Sequence, residues 1–206
     1  MYCRTRIALA ALAAGCVLAV AVGSAGARRF EFSEQRFGIV FEEVGYSGGG
    51  TSARCKITLA GSFHSRTISK VAGALIGYIT AGNVVPPCIE GSARLLPETL
   101  PWHIRYQSFS GVLPRISSIE IGIVGWAYLQ ICIGQSCLFR STAERPVSWF
   151  LNLEATGRVT SVRWDEANQV PLNGISAICP QELRLAGTGS FTVLNSSTAI
   201  TVRLVQ

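Results

Sequence analysis

CKITLAGSFH, residues 55 to 64, alternates residue by residue. Cys55, Ile57, Leu59 and Phe63 fall on one side, Lys56, Thr58, Ser62 and His64 on the other. A period of two marks a strand buried on one face, because successive side chains of an extended chain point to opposite sides. The same period starts earlier, in RFGIVFEEV (36–44), where Phe37, Ile39 and Phe41 share a face. GYSGGGTS separates the two runs as a turn would.

Downstream the pattern recurs. LPWHIRYQSF (100–109) sets Trp102, Ile104 and Tyr106 against His103, Arg105 and Gln107. ISSIEIGIVGWAYLQICI (116–133) carries Ile119, Ile121 and Ile123 on one face, and Gly122 and Gly125 predict a bulge or sharp bend there. WFLNLEATGRVTSVRW (149–164) reads as a hairpin turning at Ala155-Thr156-Gly157. The closing segment turns at Asn195-Ser196-Ser197 and sends Ile200, Val202 and Leu204 inward. Short strands at regular spacing predict a mainly β fold, a single antiparallel β-barrel or β-sandwich. One segment departs from the period. In RTISKVAGALIGYITAG, the residues Ile68, Val71, Ala72, Leu75, Ile76 and Ile79 follow helical spacing, which predicts one short amphipathic helix over about residues 66–81.

The N-terminus sets the compartment. Arg4 and Arg6 precede an apolar run from Ile7 to Val22 that ends in small residues at Ala25-Gly26-Ala27, the arrangement of a secretory signal peptide cleaved after Ala27. An uncleaved segment anchoring the chain in a membrane is the alternative. Residues 28–50 then form a first strand or a flexible arm, and 51–206 a β-rich domain. Past residue 27 the charge is +4, and the basic residues are scattered singly, so no stripe suited to nucleic acid is present. With 49% hydrophobic residues and many alternating runs, a membrane-spanning barrel is the alternative to one surrounded by water.

No nucleophile elbow, phosphate loop or dinucleotide fingerprint occurs, and nothing calls for a cofactor. The candidate ligand-binding residues are Trp102, His103, Arg105 and Tyr106, with His103 also the one candidate catalytic base. Asp165 and Glu166 are adjacent and would face opposite ways in a strand. Trp102, Tyr106, Trp126, Tyr128, Trp149 and Trp164 read first as core, and otherwise as the lining of a pocket or a stacking surface.

Export makes the five cysteines beyond residue 27 structural bridges before anything else. A metal site is not expected, because His64 and His103 each stand alone in the sequence. Two bridges and one spare thiol leave the pairing open. A turn at Gly134-Gln135 would set Cys132 opposite Cys137, but that six-residue loop constrains the unfolded chain by only ~2 kcal/mol. A bridge from Cys137 to Cys179 closes a far longer loop, worth ~4 kcal/mol on the same entropy model.

CKITLAGSFHSRTISKVAGALIG, LPWHIRYQSFSGVLPRI and GTGSFTVLNSSTAITVRL together resemble a group of secreted β-rich proteins of GC-rich bacteria that has no known activity. Four cysteines of that group's pattern match Cys55, Cys88, Cys137 and Cys179, and Cys132 departs from it. Taken with the loop argument, the resemblance implies bridges from Cys55 to Cys88 and from Cys137 to Cys179, leaving Cys132 a free thiol. The functional expectation is a secreted, non-catalytic extracellular module that binds a partner the sequence does not identify, a small apolar ligand, a glycan or a cell-surface component, or that contributes to the cell surface itself. A calycin-like barrel carrying an apolar small molecule is the alternative, and a hydrolase or isomerase using His103 the third.

Overall fold

The computed structural model describes residues 29–48, 51–132, 135–173 and 179–205, and the side chains of 48, 51, 132, 135 and 166–169 lie outside the description. The signal segment, the turn residue Gly134 and the Cys132 thiol therefore fall outside it too. Fourteen strands run through the described residues: β1 (Arg29–Phe32), β2 (Arg36–Gly48), β3 (Thr51–Phe63), β4 (Thr67–Ile68), β5 (Leu75–Ile89), β6 (Ser92–Leu95), β7 (Trp102–Val112), β8 (Arg115–Val124), β9 (Ala127–Cys132), β10 (Gln135–Arg140), β11 (Val147–Leu153), β12 (Val159–Pro171), β13 (Glu182–Val193) and β14 (Val202–Val205).

Eight of them, in the order β11-β12-β13-β2-β3-β5-β7-β8, pair antiparallel and close on themselves as a barrel. Around the wall the chain goes up and down in sequence order. The remaining strands form two small sheets inserted where barrel strands end. One, of order β14-β1-β4, lies where β2 begins and where β3 and β13 end. The other, of order β10-β9-β6, lies where β5 and β8 end and where β11 begins.

The alternation read from sequence sets what points inward. Phe37, Ile39, Phe41, Ile57, Leu59 and Phe63 are all buried, as are Ile119, Ile121 and Ile123. Outside, charges pair across β2 and β3, Glu42 with Lys56 at 2.7 Å and Glu43 with Arg54 at 3.4 Å, and along β12, Arg163 with Asp165 at 3.2 Å. A greasy interior behind a charged wall is the reverse of a lipid-embedded barrel, whose apolar band faces outward. No helix among the described residues is long and apolar enough to cross a membrane.

The expected helix over 66–81 is not formed. Thr67–Ile68 pairs with β1, Ser69 to Ala74 turn, and Leu75 onward is strand β5 between β3 and β7. Two glycines account for it. Gly73 sits at φ +78° where the chain turns, and a side chain on Gly77 would run into the Ser62 carbonyl of the neighbouring strand. The helical spacing also misplaces Val71, which is 65% exposed. Short apolar runs satisfy both periods, and here partners on β3 and β7 decide.

Two other details differ from expectation. The irregularity expected at Gly122 lies on the partner strand, between Tyr106 and Ser108, whereas Gly125 does bend the chain, at φ +89°. The β9–β10 register sets Cys132 opposite Gln135 and Cys137 opposite Gln130, so Cys132 and Cys137 do not face one another. That register places Tyr128 beside Phe139, and both are buried, which is how a half-buried pair fixes its alignment. The bridges are Cys55–Cys88, with Cα atoms 4.5 Å apart, and Cys137–Cys179, at 5.7 Å.

Candidate functional site

Strand β7 separates the four residues expected to form one site. Trp102 and Tyr106 point inward and are buried, His103 is exposed on the wall, and Arg105 is half-buried on that outer side. The pleat does this unaided, since neighbours on a strand face opposite ways. Trp102 donates its indole N–H to the Thr99 hydroxyl at 2.8 Å, anchored by the short turn before β7. Tyr106 lies near Phe30, with ring centroids 6.1 Å apart, and burial pushes its phenol pKa up.

On the outside, His103 meets Tyr78 edge to face, with centroids 5.3 Å apart. Tyr78 also packs on His64 at 4.8 Å. The chain's two histidines thus flank one tyrosine of β5, His103 from the neighbouring strand β7 and His64 from the bend just past the end of β3. Sequence alternation places both histidines on the polar side correctly but misses Tyr78, which sits inside the segment read as helix. Arg105 stands beside Glu144, whose carboxyl is held below the usual range by its own backbone hydrogen bond, then by the Thr142 hydroxyl, with the guanidinium adding less. Asp165 is drawn to Arg163, and Glu166 falls outside the described side chains.

Two hollows open on the wall. One of about 410 Å³ lies over Gly38, Ala60 and Ala81, which neighbour one another in register, with Asn83 and Thr192 at its sides. The other, of about 320 Å³, lies over Gly45 and Ala186 and is rimmed by Arg54, Glu90 and Arg184. Neither contains His103 or a tryptophan among its lining residues.

The interior is packed with rings. Phe41 stacks on Trp164 at 4.4 Å, Trp164 meets Trp149 at 5.7 Å and Trp126 at 6.3 Å, and Trp126 stacks on Tyr128 at 5.3 Å. Tyr46 completes the run, stacked on Tyr128 at 4.2 Å. All four tryptophans of the chain are within 2% of full burial. Of their indole N–H groups, that of Trp102 is bonded, while those of Trp126, Trp149 and Trp164 have no hydrogen-bond partner among the described residues, nor has the Tyr46 hydroxyl. Burial, then the charge of Tyr128, raises the Tyr46 pKa well above its ordinary value, so it stays a neutral donor.

Among the described residues no three His, Cys, Asp or Glu side chains gather as metal ligands would. No family model, curated protein or solved structure matches this chain.

Proposed function

We propose that the chain is an exported, disulfide-stapled binding module without catalytic activity, released by cleavage after Ala27. The observation that carries this reading is the separation of the β7 residues between a packed interior and the outer wall. A general base works on a proton held within hydrogen-bond reach in a cleft, and an exposed imidazole whose ring contact is Tyr78 has no such setting. The His64–Tyr78–His103 row is the binding face. Its rings offer a stacking platform to a glycan or a cell-surface polysaccharide, and the two imidazoles offer hydrogen bonds at its ends.

Retention of the mature chain on insoluble cellulose, chitin and peptidoglycan tests this. Binding to at least one, lost in Tyr78→Ala, is the expected result. Retention indifferent to Tyr78, or soluble sugar released from the solid, would sink it. N-terminal sequencing of protein recovered from the medium is expected to begin at Arg28.

A further inference from the structure

The two hollows of the wall differ in charge. The one of about 410 Å³ is lined by uncharged residues alone, whereas the one of about 320 Å³ is rimmed by two arginines and a glutamate. The floor of the second is Gly45 on β2 and Ala186 on β13, opposite one another in register. A Cβ on Gly45 would meet the Ala186 carbonyl at 3.7 Å, an ordinary contact, so packing of the wall does not demand glycine there. Glycine inside a strand weakens it and marks a place where something approaches the backbone closely. One pleat along, a polar row crosses the same hollow. Arg184 of β13 stands opposite Ser47 of β2, Ser47 stands opposite Ser52 of β3, and the Ser52 hydroxyl donates to the Glu90 carboxylate at 2.9 Å. These four are exposed, while Tyr46, Ala53 and Leu185 between them point into the barrel. A guanidinium therefore closes one end of the row and a carboxylate the other.

Neither end is neutralised by the protein. Arg54, the other arginine of the rim, pairs with Glu43, but Arg184 and Glu90 form no ion pair among the described residues. Glu90 is also held at φ 60°, a left-handed conformation that side chains other than Asn, Asp and His seldom adopt, although a glycine, Gly91, follows it directly. Residues kept in such conformations gather at ligand sites, where the surrounding fold fixes them. Here the result is a carboxylate set at the edge of the hollow and tied to Ser52. A lone anion entering the hollow meets repulsion from Glu90, and a lone cation meets it from Arg184. Opposite charges on one molecule meet neither. The strands that carry the row, β13 and β3, lie two strand spacings apart, about 10 Å, so those charges need several carbon atoms between them. We infer that this hollow binds a small zwitterion, its carboxylate on Arg184, its ammonium on Glu90 and its hydrocarbon spacer over the small floor. The site shares no residue with the Tyr78 face and stands independently of it.

The probe is ε-aminocaproate, with caproate and hexylamine as its single-charge counterparts and glycine as a zwitterion without the spacer. Amide-shift titrations of ¹⁵N-labelled mature protein, disulfides intact and at low salt, are expected to move the Gly45, Ser52 and Ala186 signals. The zwitterion with the spacer should bind about threefold or more tighter than each of the other three, the worth of one exposed ion pair. Arg184→Gln is expected to bring it down to the level of hexylamine, and Glu90→Gln to that of caproate. Both side chains are exposed, so the fold does not rest on them. Gly45→Val, for which the wall has room at the β-carbon, should block the probe while leaving both charges in place. Caproate binding as tightly as the zwitterion would overturn the inference in favour of a plain anion site. Hexylamine or glycine matching it, binding indifferent to all three variants, or unmoved signals with every probe would overturn it outright.

Discussion

The two ends of the barrel are filled by different chemistry. At the end covered by β14-β1-β4, Phe32 lies 4.3 Å from Phe63, and Phe37 stacks on Phe191 at 4.8 Å, all hydrocarbon. At the end covered by β10-β9-β6 the rings are tyrosine and tryptophan, and both disulfides lie there, Cys55–Cys88 near the start of β3 and Cys137–Cys179 on β10. The first and last described strands close the phenylalanine end, pairing Arg29 to Val205 through Phe32 to Val202. An end sealed by packing alone needs no staple. An end that carries polar rings, and whose covering sheet is assembled from two separate insertions, is held by covalent bonds instead.

This contrast is open to measurement. The largest effect is expected at the hydrocarbon end: Phe37→Ala should cost about 3–5 kcal/mol in denaturant unfolding, because the ring leaves a cavity among Phe63 and Phe191 that they cannot fill. A cost below about 1 kcal/mol would mean that this end is loosely packed. Next comes the Cys137–Cys179 bridge. The double Cys→Ala variant should lose roughly 2–4 kcal/mol, with faster hydrogen exchange in β9 and β10 and unchanged protection in β1 and β14. Uniform loss of protection would erase the distinction between the ends.

A reciprocal pair of conservative changes sharpens it further. Phe37→Tyr brings an unpaired hydroxyl into hydrocarbon and should destabilise by about 1–3 kcal/mol, whereas Tyr46→Phe removes one that is already unpaired and should change stability by less than about 1 kcal/mol. Alkaline titration gives the smallest and most specific effect. The Tyr46 pKa is raised in the folded chain by burial, so below about pH 10, the ordinary phenol value, both states hold the proton and stability is unaffected. Above it the unfolded chain ionises first, and stability falls as pH rises. Tyr46→Phe should flatten that decline more than Tyr106→Phe does, since Tyr106 is raised by burial alone.

Much of the interior is legible in the order of residue types along the chain. Alternation places Phe37, Ile39, Phe41, Cys55, Ile57 and Leu59 inward, and all are buried. The hairpin at 154–157 closes as read, with the Gly157 N–H donating to the Glu154 carbonyl at 2.8 Å. The turn at Asn195 holds that residue at φ 60°, the left-handed conformation that Asn tolerates. The candidate site is less legible. Trp102, His103, Arg105 and Tyr106 are neighbours in sequence, and the pleat that predicts their burial is what prevents them from sharing a site. The rings that do gather come from β2, β9, β11, β12 and the bend after β8, places joined only by the barrel's closure.

Side-chain alternation is a local property, set by how one extended residue follows another, so the strand faces and the mainly β class needed no knowledge of partners. Which strand lies beside which, and in what register, depends on residues far apart along the chain. Only the folded barrel could turn the apparent helix at 66–81 into β5, set both histidines against Tyr78, and bring three indole donors together where nothing else described in the protein receives them.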